Sequence, residues 1–472
     1  MSHEIRADYT QTLMFPPCIE DWVPANHPAR FIREVVDAMD LREMGIRMSE
    51  GQEGRPHYAE DMLLKIWLYG YCSRIRSTRG LQKACMENLS LIWLTGNNTP
   101  DHNTLWRFYR DNKQALRKVF KHSVRLGVQA NLVGFVLHAL DGTKMPSAAT
   151  GRTSISKKRL EELLSRLDEE IEGIERTVEK TRVEEGAAGW ELPQELSEAK
   201  TLREAVVAGL ETLRREGVKN LSAVDPQARV MKTPEGKRMS YNAQAVADEQ
   251  SGLIVCGDVT NEGNDMHQLL PMLKQTVETL GSAAEESLAD AGYECPEQIA
   301  AAVNAGHEIL LPLSGEKADE FDTIHFQRDT ERDVVTCPMG QTLEFERERQ
   351  SRTGDWMLRI YRCKCGEQCA RATECTKDKR GRAVELSPWH EAIQAQVAKQ
   401  KDPGKRCKLK RRSVIIEPVF AAIKERYGFR RFTAHGLENA KTQWALVCGA
   451  YNLMKLYKKW LTGDLKTARA RP

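Results

Sequence analysis

The 472-residue chain has no apolar run approaching the roughly 20 residues that a bilayer crossing requires. Its first residues, MSHEIRADYTQT, lack a charged stretch followed by an apolar one. Neither a spanning helix nor a secretory leader is therefore expected, which predicts a cytoplasmic protein with no membrane partner. Net charge is nearly absent as well: 70 Lys and Arg stand against 67 Asp and Glu, a formal +3. That balance excludes a global positive field, so affinity for a polyanion must come from local patches. Disorder is excluded by what is present, since 41% apolar and 29% charged residues read as soluble and globular, with length for about two or three cores.

One basic patch lies in residues 401–431, where Lys401, Lys405, Arg406, Lys408, Lys410, Arg411, Arg412, Lys424, Arg426, Arg430 and Arg431 face only Asp402, Glu417 and Glu425. Its first part, 401–408, reads as a solvated linker. Of the 12 cysteines, Cys18, Cys72, Cys85, Cys256, Cys295, Cys407 and Cys448 are scattered, as buried thiols of a reduced compartment would be. The other five cluster. Cys337 lies in TCPMG, and Cys363, Cys365, Cys369 and Cys375 lie in YRCKCGEQCARATEC. Such short spacings let Cys337 and three of the other four converge on one tetrahedral structural Zn²⁺, with disulfides as the alternative in this compartment. The spacing is not that of a standard ribbon or finger.

Residues 1–130 read as helical. The segment 60–76 is rich in strong helix formers, and TPDHNTLWRFYRDN offers Thr99 as N-cap with Pro100 at the first helical position. The helix that follows carries Asn103 and Arg107 near its start, then Lys113, Arg117, Lys118 and Lys121, which would suit a recognition helix in a major groove; a charged outer face is the bland alternative. Next comes an α/β region with candidate strands at 132–140, 241–248, 252–259, 285–289 and 308–312. An amphipathic helix with Met266, Leu269, Leu270, Leu273, Val277 and Leu280 on one face should pack on that sheet. Two insertions interrupt it. Leu160, Leu164, Leu167, Ile171, Ile174 and Val178, then Ala199, Leu202, Val206 and Leu213, predict an antiparallel helical hairpin over about 154–216. A cysteine-rich segment occupies about 320–398.

Three carboxylates have sharp local contexts: Asp141 in LHALDGTK, Asp290 in SLADAGY and Glu417 in RRSVIIEPVFAAIK. The first two end apolar runs and the third opens an amphipathic helix. Carboxylates at the carboxyl ends of neighbouring strands, joined by one on a facing helix, can hold two Mg²⁺ ions for phosphoryl transfer. The alternative is that all three cap elements or pair with Arg and Lys. Asp225, Asp248, Asp258 and Asp265 compete for the same role and read as turn or cap residues.

The blocks ALDGTK, YNAQAVAD, VTNEGND, LADAGY and EPVFAAIK followed by YGFRRF, in this order, resemble the DDE transposases of bacterial insertion sequences. The likeness extends to GRPHYAEDMLLKIWLYGY and ACMENLSLIWLTGNNTPDHNTLWRF, similar to the helical domain common in that family. It implies an α/β fold with an RNase H-like mixed-sheet catalytic core over 131–462, interrupted by the two insertions. A helical DNA-binding domain over 1–130 would precede it and a basic tail over 463–472 would follow. By the same resemblance Asp141, Asp290 and Glu417 are the catalytic carboxylates, holding two Mg²⁺ or Mn²⁺ ions per site with Asp141 bridging them. Lys424, seven positions after Glu417, matches the family's lysine. The family's arginine four positions before the glutamate is Ser413 here, with Arg412 one place further back, and no tyrosine precedes it.

The activity implied is binding of the element's terminal inverted repeats, cleavage at the ends and joining to target DNA. Water would attack first, and the freed 3′-hydroxyl would attack in strand transfer. The expected partners are double-stranded DNA, as transposon ends and target, and further copies of the chain in a homodimer or larger assembly, nucleoid-associated when bound to DNA. Lys424, Arg411, Arg412, Arg107 and Asn103 are the expected DNA contacts. A transposase-derived DNA-binding protein that no longer cuts and a metal-dependent repair nuclease are the alternatives. Inverted repeats flanking the gene would separate the nuclease from the transposase.

Overall fold

The computed structural model describes residues 18–48, 57–149, 154–185, 194–222, 224–314, 319–352, 354–364 and 369–465 of an α/β chain. Cys365 and the expected basic tail beyond Leu465 lie outside the described residues. The chain divides into two compact units. One comprises Met1–Leu132, Ala422–Phe429 and Ala445–Pro472, and the other Val133–Ala421 and Arg430–Trp444. Among the described residues no helix is long and apolar enough to cross a membrane.

The first unit is helical: α1 (Pro28–Asp37), α2 (Glu60–Cys72), α3 (Thr78–Glu87), α4 (Leu89–Leu94), α5 (His102–Asp111) and α6 (Lys113–Gln129). Helix α2 buries Leu63, Leu64, Ile66, Trp67, Leu68 and Tyr71, apolar side chains spread around most of its circumference, as a helix at the middle of a bundle must. Helix α5 starts later than the sequence suggests. Asp101, not Thr99, is its N-cap, because its carboxylate accepts from the amides of Asn103 and Thr104 at 2.8 and 2.9 Å. The long basic helix expected here is broken at Asn112. That side chain is buried; it donates to the Phe108 carbonyl at 2.9 Å and accepts from the Arg47 amide at 2.9 Å.

The second unit is built on a sheet of β1 (Leu137–Pro146), β4 (Arg229–Thr233), β5 (Gly236–Asp248), β6 (Ile254–Thr260), β7 (Glu286–Leu288) and β8 (Ile309–Leu310), with β2 (Ser154–Ser156) and β3 (Asn220–Ser222) pairing separately. Strand β5 is long enough to pair β4 through its first half and β6 through its second. It runs antiparallel to β1, which is flanked on its other side by parallel β7 and then β8. Strand β1 continues past Asp141 to Pro146, because β5 pairs with it along that whole length. Asp141 therefore lies within a strand and not at its carboxyl end.

Helices α7 (Lys157–Glu185) and α8 (Gln194–Glu216) pack on each other through Leu160, Leu167, Val206, Leu210 and Leu213, with Ile171, Leu196 and Ala199 as a second patch. Leu202, expected in the seam, is 48% exposed. Helix α9 (Leu269–Leu280) packs on β6 and β5. It buries Leu269, Met272, Leu273, Thr276 and Thr279, whereas Met266 precedes the helix and is exposed. Helix α10 (Pro296–Asn304) follows β7.

The cysteine-rich segment forms an antiparallel sheet in the order β13 (Ala383–Leu386), β12 (Met357–Cys363), β11 (Thr342–Gln350), β10 (Val334–Thr336) and β9 (Gln327–Asp329), with the short helix α11 (Ala372–Cys375). Helices α12 (His390–Lys401) and α13 (Pro403–Ala421) come next, and α13 packs on β1 and β5. The linker expected at 401–408 is thus mostly helix. Lys405 and Lys408 on its first turns both pair with the buried carboxylate of Glu286, which holds them in place. Helix α14 (Leu437–Leu461) ends the described chain. Its part from Ala445 onward belongs to the first unit, where Trp460 donates to Glu34 at 3.1 Å and Asn452 to Ser123 at 3.3 Å. The catalytic region expected over 131–462 includes that stretch.

Candidate active site

Parallel pairing of β1 with β7 matches Leu137 to Glu286 and Ala139 to Leu288. That pairing ends at Ala139 and Leu288, and two residues beyond it on each chain segment stand Asp141 and Asp290, close enough for the Asp290 charge to act on the Asp141 carboxyl. Asp290 ends the extended segment by capping a short 3₁₀ turn, accepting from the Gly292 amide at 2.9 Å. The Asp141 carboxylate accepts from the Gly142 amide at 2.7 Å and receives Arg412 Nη1 of α13 at 3.0 Å. Burial pushes the Asp141 carboxyl above the usual carboxylate range; Arg412 pulls it down and the Asp290 charge adds to the rise. The Asp290 charge thus adds to the cost of ionising Asp141, and the Arg412 cation offsets part of that cost.

A third aspartate belongs to this region. Asp265, in the loop before α9, accepts from Gln244 Nε2 at 2.6 Å and Asn242 Nδ2 at 2.7 Å, and pairs with Lys144 at 2.7 Å. Those partners follow from strand alternation: Asn242 and Gln244 on β5 lie opposite Lys144 and Gly142 on β1. Gly142 has to be glycine for this, since a Cβ there would lie 2.3 Å from Gln244 Nε2 and 2.6 Å from Asp265 Oδ1. The buried Tyr293 hydroxyl donates to Gln244 Oε1. Burial, then the charges of Asp265, Asp141 and Asp290, hold that phenol far above its ordinary value. Asp225, Asp248 and Asp258 are committed elsewhere. They bind Tyr241 and the Gly436 amide, Gly134 and Ser251, and Lys441, respectively.

Glu417 sits on α13, the helix that also carries Arg412. It lies five residues beyond Arg412, a rotation of about 140° around a helix, and is exposed where Ile415, Ile416, Val419 and Phe420 take the buried face of α13. Among the described residues, no group of three or more His, Cys, Asp or Glu side chains is disposed to hold a metal ion. Arg411 pairs with Glu249. Lys424 falls in a π-helical turn, Ala422–Arg426, so the regular seven-residue spacing that would put it on the face of Glu417 does not hold. In the first unit Asn103, Trp106, Arg107 and Arg110 share the exposed face of α5, with Arg107 donating to Thr104 Oγ1 at 3.3 Å.

Four of the clustered cysteines, Cys337, Cys363, Cys369 and Cys375, line one cavity of about 690 Å³. Cys337 Sγ accepts from the Gln341 amide at 3.2 Å in a tight turn. Burial raises the Cys375 thiol; Arg382 opposes the rise, and the charges of Cys337, Cys369 and Cys363 add to it.

Residues 336–457 match the model of the family described as Transposase DDE domain, and residues 17–111 match that described as Transposase domain (DUF772). The first match contains Glu417, Arg411, Arg412, Lys424 and all five clustered cysteines, while Asp141, Asp265 and Asp290 lie outside it. No curated protein and no solved structure matches the chain.

Proposed function

This chain belongs to the DDE-type transposases of insertion sequences, and from that premise we propose that it binds the inverted repeats of its own element, cuts at those ends and joins them to target DNA. The observation that carries the proposal is Asp141 beside Asp290, two half-buried carboxylates close enough to interact, the first of them paired with Arg412. The strand order β6-β5-β1-β7-β8, with β7 and β8 parallel to β1, supports an RNase H-like core.

Asp141 and Asp290 offer the hard oxygen donors that a divalent cation takes, with Glu417 as the third proposed ligand. When bound, Mg²⁺ or Mn²⁺, two per site, would activate the attacking oxygen and stabilise the leaving one. The protein's own groups do the rest. Arg412 neutralises Asp141 in the resting site and can turn to a phosphate oxygen, while the Asp265 network with Lys144, Asn242 and Gln244 holds β1 and β5 in register beneath the aspartates. In cleavage a water oxygen attacks phosphorus and the bond to the 3′ oxygen breaks; in joining, that 3′-hydroxyl attacks a target phosphate, the bond from that phosphorus to the target's own 3′ oxygen breaks, and the target strand leaves with a free 3′-hydroxyl. Because two ends must be held for joining, the working form is a homodimer or larger assembly on DNA, associated with the nucleoid. Asn103 and Arg107 on α5, with Lys424 and Arg411, are the proposed DNA contacts. Cys337, Cys363, Cys369 and Cys375 are proposed to hold a structural Zn²⁺.

The test is cleavage of duplexes taken from the DNA flanking the gene. Asp290→Asn should lower cutting by more than about 100-fold, beyond the loss usual for an outer-shell group, with duplex binding nearly unchanged. Cutting at the parent rate by that variant would remove Asp290 from the centre.

A further inference from the structure

The hairpin of β4 and β5 carries charge that the fold does not use. Lys232 and Lys237 are directly opposed across the two strands, and like charges in that position destabilise an antiparallel pair. Both are exposed, and among the described residues neither meets a carboxylate. With Lys219 and Arg229 they line one cavity of about 790 Å³, in which, among the described residues, Glu262 supplies the single carboxylate. Glu262 is already engaged by Gln268 Nε2 at 3.1 Å. Arg229 is buried, with its guanidinium fixed on the carbonyls of Pro226 and Ala228 at 2.6 and 3.0 Å. A fixed arginine and three lysines around one concavity make a site for a polyanion.

Its position says which polyanion. The cavity lining runs through Asn261–Asn264, and the next residue is Asp265, which holds Lys144 three residues from Asp141. We propose that this cavity binds the phosphodiester backbone of the DNA strand that leads to the Asp141–Asp290 pair, an inference that rests on the function proposed above. Exposed lysines on an edge strand also serve to block pairing with other chains. Edge protection needs only one lysine on β4, whereas Lys232 and Lys237 form an opposed pair lining a cavity, and the exposed Val230 and His267 beside them offer surface for sugar and base.

The experiment is anisotropy of a labelled 30-base-pair duplex of arbitrary sequence, titrated with the full chain across a KCl series, for the parent and for Lys232→Gln/Lys237→Gln. Losing two phosphate contacts should make the slope of log affinity against log salt shallower by about 2. The melting temperature should not fall, because the opposed charges are removed. A variant whose slope and affinity equal the parent's overturns the inference, and self-association of that variant with an unchanged slope assigns the lysines to edge protection instead. If the parent binds and cuts DNA while the variant's slope is unchanged, the cavity alone is misassigned. A parent that does not bind duplex at all overturns the proposed function together with the inference.

Discussion

Arg412 pairs with Asp141 and opposes the rise that burial imposes on its carboxyl. Burial and the Asp290 charge both favour the protonated carboxyl, and the guanidinium opposes them. In Arg412→Ala the first two remain and the third is lost, so the Asp141 pKa should rise further. The acid limb of the pH–rate profile for cleavage should then move to higher pH, because the ionised carboxylate is the form that binds metal. A limb at the same pH in parent and variant would show that Asp141 does not limit the rate there. Asp141 and Asp290 were legible in the sequence because each closes an apolar run inside a recognisable motif. Asp265 was not. Its part depends on Asn242, Gln244 and Lys144 reaching it from two strands, and a lone Asp before a helix reads as a cap. The exposure of Glu417 was equally hidden, since the rotation of α13 about its axis is decided by which of Ile416, Val419 and Phe420 find the sheet.

Among the elements, the sheet of β9–β13 is the least foreseeable, because its strands are short, charged and interrupted by the cysteines. Its register brings Cys363 at the end of β12 beside Gly381, whose backbone has φ +91° and whose added Cβ would lie 1.9 Å from the Cys363 carbonyl. Only glycine fits there on both counts. Gly381→Ala should therefore cost at least about 2 kcal/mol of stability and displace Cys363 from the other three thiols. Purified parent protein should contain about one zinc per chain, and Gly381→Ala clearly less, by metal analysis. Parent protein without zinc, with Cys337, Cys363, Cys369 and Cys375 all freely titratable, would rule out the metal site. The helices show the opposite case. Their existence followed from composition, but their ends did not: Asn112 splits α5 from α6 through one buried amide, and a π turn follows α13. Such details arise from tertiary partners, which local pattern does not encode.

For the whole molecule, pH response follows from histidines that are half-buried in the first unit and buried in the second. His27, His122 and His307 are all depressed by burial, with nearby Arg30, Arg125 and Lys274 adding to it. His138 on β1 is lowered to about 4 by burial, against the pull of Asp248 in the opposed position on β5. A histidine depressed in the folded state binds fewer protons there than in the unfolded chain between the two pKa values. Stability is therefore full above about 6.5, the ordinary histidine value. It is lost progressively as pH falls toward the folded value. The raised Asp141 carboxyl acts in the opposite sense and offsets part of this. For His138 alone the loss between pH 7 and pH 4.5 should be roughly 1–3 kcal/mol. Urea unfolding of the parent and of His138→Leu at pH 7, 5.5 and 4.5 measures that share. Leucine is close in volume and does not titrate, and Asp248 keeps its bonds to Gly134 and Ser251. The variant should accordingly lose less stability on acidification than the parent. Equal losses in the two would show that His138 is protonated within the fold without penalty, and that the acid sensitivity comes from the other buried groups.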